Sequence, residues 1–350
     1  MTLDVPANAF QEPMVREIRL RARPKGLPLP EHFEVVSVPR PVPRADEVLV
    51  RNRFFRVSAA IRMMISEGAK EVEGVPFPAL SPGDTLAEEA LGEVVSAPIA
   101  TGFSPGDLVA HRYGFRDFAA VPANDCERVG DTLPDPVAHL GHGWTAYAAL
   151  TRGAPVLAGD TVFISSAAGA IGSMGAFIAH RLGARRVIGS TSSREKADRL
   201  IAELGYDAAI IRGAGSFLLQ LREAAPEGVD VVLDSVGGEQ LRAAVMTARR
   251  GARIAVIGAL SGQLAIEGTG RCAPVELDSF PILLQRLTLR GYSADDDPDA
   301  RKEWNQLFGK ALKAGETHFP HVLIQGIERA PDAICEVIRG QCWGTVIVAV

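Results

Sequence analysis

Ala167, Gly169 and Gly172 stand two and three residues apart in the run Phe163-Ile164-Ser165-Ser166-Ala167-Ala168-Gly169-Ala170-Ile171-Gly172-Ser173. In a dinucleotide-binding turn the first small residue closes the bend, the second lets the main chain approach a pyrophosphate, and the third packs helix on strand. The helix beyond would offer unpaired N–H groups to the anion, with Ala170 and Ile171 at its start. A turn of small residues that holds no ligand looks the same, so the rest of the chain has to support the reading. An NAD site places an Asp or Glu about twenty residues further on, against the ribose hydroxyls. Here the segment reads Gly189-Ser190-Thr191-Ser192-Ser193-Arg194-Glu195-Lys196. Small hydroxyls, Thr191 and Ser192, replace the acid and cations follow, which suits a 2′-phosphate and therefore NADPH. Lys196 and Arg212 also read as solvated surface charges.

Metal chemistry finds no support. His32, His111 and Cys126 are the candidate ligands in the first part of the chain, and none has the sequence context of a catalytic zinc site. His139, His142 and His180 read as ordinary core or surface residues. Tyr113 and Tyr292 are weak candidates for a proton donor, because a half-buried tyrosine usually packs its ring and satisfies its hydroxyl locally.

The elements that must position these groups come in two styles. From Arg16 to about residue 137, short strands such as 33–38, 47–51, 91–95, 108–110 and 118–121 are broken by proline and glycine, the pattern of a partly open, barrel-like β domain. From about 138, helical and extended patterns alternate. Strands are expected near 161–164, 186–189, 208–211, 229–234, 254–257 and 287–290, with helices over 143–150, from Ile171, over 194–204 and 216–224, and from Glu239. That is a doubly wound parallel (Rossmann) sheet. The tail ends on Thr345-Val346-Ile347-Val348 and returns to the first style. The expected division is 1–137 with 306–350 as the β-rich substrate domain, and 138–305 as the inserted dinucleotide domain. Residues 1–13 read as a loose extension.

With 350 residues, 47% apolar and 23% charged, the chain has the composition of a soluble globular protein of two domains. Its net charge of −5 argues against nucleic acid, which needs clustered cations. Four scattered cysteines without paired spacing suggest neither a disulfide framework nor a metal lobe, and no apolar run is long enough to span a bilayer. No signal peptide is evident, and a cytoplasmic setting is expected.

Gly143-Trp144-Thr145-Ala146-Tyr147, Gly159-Asp160-Thr161-Val162, the Ala167–Ser173 turn, Glu195-Lys196, Asp234-Ser235-Val236-Gly237-Gly238 and Leu287-Thr288-Leu289-Arg290-Gly291 together resemble the medium-chain dehydrogenase/reductases. The likeness is greatest to their zinc-free branch of prostaglandin and alkenal double-bond reductases, and it implies a GroES-like first domain and a Rossmann second domain. It also implies NADPH-dependent reduction of an activated carbon–carbon double bond in a small molecule, by a homodimer. Lys196 matches the family's phosphate-binding lysine, and Arg212 stands where the family often has a tyrosine. Thr145, Gly258 and Ala259 match positions that line the nicotinamide.

The substrate half departs from the family. Ser58-Ala59-Ala60-Ile61-Arg62 replaces Asp-Pro-Tyr-Met-Arg, Ser261-Gly262 replaces Tyr-Asn, and Cys342-Trp343-Gly344-Thr345 replaces Asn-x-Gly-Lys. With Ala60 for the tyrosine, the wall facing the nicotinamide is expected to be larger, apolar and uncharged, and to suit an enone bulkier than simple alkenals. A quinone reductase and a non-catalytic NADPH-binding protein are the alternatives.

Overall fold

The computed structural model describes residues 13–67, 69, 79–265 and 272–350, so residues 1–12 of the expected extension lie outside it. Strands β1 (Met14–Leu20) and β2 (Phe33–Pro39) pair antiparallel and lead into the long β3 (Glu47–Val57), the short helix α1 (Ile61–Ile65) and strands β4 (Ala90–Ser96), β5 (Leu108–His111), β6 (Phe118–Pro122) and β7 (Glu127–Arg128). After α2 (Gly143–Ala148), strand and helix alternate. β8 (Thr161–Ile164), α3 (Gly175–Arg181), β9 (Arg186–Thr191), α4 (Arg194–Leu204), β10 (Ala208–Ile211) and α5 (Phe217–Ala224) form one wing. β11 (Val229–Asp234), α6 (Gly238–Thr247), β12 (Ala248–Val256), α7 (Leu260–Gln263), α8 (Ser279–Leu284) and β13 (Thr288–Gly291) form the other. α9 (Pro298–Lys313), β14 (His321–Gln325), α10 (Ala330–Ile338) and β15 (Thr345–Ala349) complete the chain.

The six strands β8 to β13 make one parallel sheet in the order β10-β9-β8-β11-β12-β13. All six overlap the spans that the sequence pattern gives, although β12 begins at Ala248, well before the expected start at 254. Every residue of β8 is buried, as expected for a central parallel strand covered on both faces. The sheet grows outward in both directions from the β8–β11 pair, so a crevice opens at their C-terminal ends. The second sheet has seven strands, β14-β15-β3-β4-β5-β7 with β6 beside β3. Its path does not close, so the first part is an open β-rich unit and not a closed barrel. β15 pairs antiparallel with β3, which brings the end of the chain back into the first sheet, as the patterned tail implies.

Two details differ from the sequence pattern. The helix after the β8 turn starts as a 3-10 turn over Gly172–Met174 before α3 begins, because Gly172 is pressed onto the turn itself. The helix expected over 143–150 forms as α2 to Ala148 and then passes into a π-helical turn over Ala149–Gly153. α9 also runs across position 306, the place where the pattern puts the second boundary.

α9 packs on α2 through Trp304, which is 2% exposed. Its ring stacks on Phe308 at 4.7 Å between centroids and meets Phe177 edge-on. Gly143 is bare because a Cβ there would lie 2.5 Å from the Trp304 ring. Trp304→Ala is expected to destabilise the fold by about 3–5 kcal/mol, seen as a lower denaturant midpoint. A loss below about 1 kcal/mol would show that this helix pair is not a principal packing contact.

Candidate functional site

The bend after β8 is strained at Ser166, whose φ is +52°, a region costly for a residue with a side chain. Ser190, at the end of β9, holds it there. The Ser190 hydroxyl accepts from the Ser166 N–H at 3.0 Å, its carbonyl accepts from the Ala167 N–H at 2.8 Å, and its hydroxyl donates to Gln240 at 2.6 Å. Gly172 has to be glycine, since a Cβ would lie 2.6 Å from both the Ala167 Cα and the Ser166 carbonyl oxygen. The buried Tyr206 donates its hydroxyl to the Gly172 carbonyl at 2.6 Å and locks the packing from behind. Among the described residues the Ala170 and Ile171 N–H groups have no acceptor, which is what an anion-binding turn requires.

Across the crevice, the buried Asp234 carboxylate ends β11. It accepts from the Ser165 hydroxyl at 2.9 Å and from the Val236 and Gly237 N–H groups at 3.2 and 2.9 Å. Burial raises its pKa and these hydrogen bonds oppose the rise. Ser165 in turn accepts from the Ser235 N–H at 2.8 Å. The two strand ends are thereby stitched together at the point where a dinucleotide would cross.

A cavity of about 1250 Å³ runs from this turn to the first sheet. Thr145, Gly169, Ala170, Ile171, Gly172, Thr191, Ser192, Lys196, Arg212 and Gly258 all line it. Ala167 is fully buried beneath the turn, and Ala259 lies at the start of α7 outside the lining. Lys196 sits on α4, whose first turn is capped by Ser193. Its ammonium donates to the carbonyls of Gly340 and Cys342, both at 2.7 Å, which leaves one of its three N–H bonds for a ligand. Burial lowers its pKa. Sequence reading missed Ser166, Ser190, Ser235 and Gln240, which also line the cavity; β9 and β11 ending in small hydroxyls beside the glycine turn was the available signal.

The substrate side is not the apolar, uncharged wall that the alanines suggest. Ser58, Ala59 and Ala60 do line it, but so do Arg56, Glu88, Glu89 and His142. The buried Arg56 guanidinium donates to Glu88 at 2.7 Å, to Glu89 at 3.1 Å and to the Leu140 carbonyl at 3.1 Å. Ser58 donates to the other Glu88 oxygen. Arg301 of α9 grips Glu89 with both amino groups, at 3.0 and 3.1 Å. Burial alone would raise both acids, yet Arg56 and Arg301 hold Glu89 down at about 2, and Arg56 with Ser58 lowers Glu88. Both are carboxylates at neutral pH. The sequence hid this cluster because its parts come from β3, the start of β4 and α9.

Both tyrosines reach the cavity, but their hydroxyls are committed. Tyr113 donates to Asp125 at 3.2 Å and Tyr292 to Asp297 at 3.1 Å. Burial and these carboxylates raise both phenols, Tyr292 to about 12. Among the described residues no group of three or more His, Cys, Asp or Glu side chains is placed to hold a metal ion.

A strained turn at Ser166 packed by Gly172, unpaired N–H groups near a lysine, and a crevice at the sheet's reversal are the parts of a dinucleotide-binding oxidoreductase. Comparison with known proteins agrees. A family model described as the N-terminal domain of oxidoreductase matches residues 16–129, and one described as zinc-binding dehydrogenase matches residues 170–312. YfmJ of Bacillus subtilis (strain 168), named as an NADP-dependent oxidoreductase, is 32% identical over 342 residues, covering 96% of this chain and 97% of its own. The NADPH-dependent curcumin reductase of Escherichia coli (strain K12) is 27% identical over 344 residues, covering 95% of each chain. The crystal structure of CurA from Vibrio vulnificus in complex with NADPH superposes with a TM-score of 0.84 at 27% identity, covering 96% of this chain and 99% of that one. The chain belongs to the medium-chain dehydrogenase/reductases, in their double-bond reductase branch, and uses NADPH.

A charged hydrogen bond to the 2′-phosphate contributes about 1.5–3 kcal/mol. Lys196→Ala should therefore raise the NADPH Kd by roughly tenfold or more and leave the NADH Kd near its wild-type value, read by cofactor fluorescence titration. An unchanged ratio of the two affinities would remove Lys196 from the phosphate site.

Proposed function

We propose that the protein reduces the carbon–carbon double bond of an α,β-unsaturated carbonyl compound, an enone, enal or enoyl substrate bulkier than simple alkenals. The observation that carries this is the single cavity joining the dinucleotide turn to the wall formed by Ser58, Ala59 and Ala60. NADPH, held by the turn, Thr191, Ser192, Lys196 and Arg212, supplies a hydride for the β-carbon. The protein's share is to orient the substrate, exclude water and provide hydrogen-bond donors to the oxygen on which negative charge develops. With the Tyr113 and Tyr292 hydroxyls turned toward carboxylates, the α-proton comes from water or a ribose hydroxyl. The four cysteines are free thiols and no helix of the described residues is long and apolar enough to cross a membrane; both support a cytoplasmic setting.

In an NADPH-oxidation assay, benzylideneacetone should be turned over with a higher kcat/KM than acrolein. Ala60→Tyr should cut the bulky substrate's kcat/KM by roughly tenfold, the scale of losing a fitted apolar contact, and spare the small one. If naphthoquinone alone is reduced, the protein is a quinone reductase; NADPH binding without consumption on any acceptor would mark a non-catalytic binder.

We also propose a homodimer joined through β13. Among the described residues that strand pairs on one side only, with β12, so its other edge presents unpaired backbone groups. Beside it α8 exposes Phe280, Leu283 and Leu284 at 66%, 72% and 60%, a patch that a two-fold partner would cover with the same surface. Light scattering should give twice the 37.2 kDa of one chain, and the Leu283→Glu, Leu284→Glu double variant should run as a monomer. A monomeric wild type at micromolar concentration would overturn this.

A further inference from the structure

His142 is the N-cap of α2, and its carbonyl accepts from the Thr145 N–H at 3.1 Å. It therefore stands one helical turn before the threonine expected against the nicotinamide, and both line the cavity. Among the described residues its ring has no hydrogen-bond partner, although it lies among Glu88, Glu89, Arg56 and Arg301. Four neighbouring side chains have their donors already engaged: Ser58 with Glu88, Tyr113 with Asp125, Tyr292 with Asp297, and Arg56 with Glu88, Glu89 and Leu140. The Trp144 indole N–H is enclosed and is shut off from a ligand. Arg112 faces the same space but is paired with Asp295.

We infer that His142 is a catalytic residue whose neutral imidazole donates its N–H to the substrate's carbonyl oxygen; the inference rests on the double-bond reductase reading above. As the β-carbon accepts a hydride, the alkene pair moves to form a bond between the α-carbon and the carbonyl carbon. The carbonyl π pair moves onto oxygen, and the α-carbon then takes a proton from water. The imidazole keeps its proton throughout and stabilises the enolate oxygen by hydrogen bonding. Burial pushes its pKa down to about 3, Arg56 adding to the effect and Glu88 and Glu89 opposing it. The ring is thus uncharged at neutral pH, as a pure hydrogen-bond donor needs to be.

The test compares His142→Leu, which has no donor, with His142→Gln, which keeps an uncharged N–H. With benzylideneacetone, His142→Leu should lose about 10²–10³-fold in kcat with KM within a few-fold, the scale of removing one oxyanion donor. His142→Gln should recover most of that loss. The second readout is independent of turnover. In difference infrared spectra with NADP⁺, the carbonyl stretch of bound benzylacetone should shift to lower frequency in wild type and His142→Gln and lie at its apolar-solvent position in His142→Leu. The NADPH Kd and thermal midpoint, equal in all three, would show that the fold is intact. A His142→Leu variant within threefold of wild type in kcat, or an unshifted carbonyl in the wild type, would overturn the assignment and leave the reductase reading standing. A wild type that neither reduces the enone nor binds the ketone would overturn both.

Discussion

The structure depends on how the chain closes the fork between β8 and β11. A parallel sheet that grows in opposite directions from its central pair leaves the two strand ends side by side with backbone groups unpaired, and those groups cannot stay unpaired in a buried place. Asp234 answers this with one buried carboxylate that accepts the Ser165 hydroxyl and two N–H groups of its own turn. The crevice is therefore held at a fixed width. Ser166 can be strained and Gly172 can pack against Ala167 because the surrounding bonds leave the turn no other conformation.

A second fixed element lies on the facing wall. Arg56, Glu88, Glu89 and Arg301 form a buried, balanced charge network that links β3 and the start of β4 to α9. Such a network adds little net stability over an apolar replacement, whereas removing one partner leaves an uncompensated charge. Its physical effect is geometric. The bonds are directional, so the first sheet is held at one distance from α9 and from α2 beneath it, and the cavity between the two sheets keeps its shape. The same network surrounds His142 with charges of both signs, while burial keeps its ring uncharged.

Much of this was legible from the residues alone. The six-strand alternation, the glycine turn, the missing acid after β9 and the return of the tail to the first sheet are all local patterns, and local patterns survive reading in one dimension. The resemblance to the medium-chain reductases rested on the same segments. The cofactor half of the cavity is built from consecutive short stretches at strand ends, which is why ten of the proposed cofactor residues stand together on one wall.

The substrate half was illegible for the converse reason. Ala59 and Ala60 indicated a wider pocket, but the charges beside them come from β3, from residues 88 and 89, and from position 301. Glu88 and Glu89 are adjacent acids with no local cation, and only the arrival of Arg56 and Arg301 makes their burial tolerable. His142 reads as an ordinary histidine until α2 is seen to aim it into the cavity. The sequence by itself determined the fold, the cofactor turn and the absence of a zinc ligand motif, since each is a property of neighbouring residues. The tertiary structure alone decided which side chains are buried and which donors are already spent, because burial and hydrogen-bond partnership are set between segments far apart in the chain.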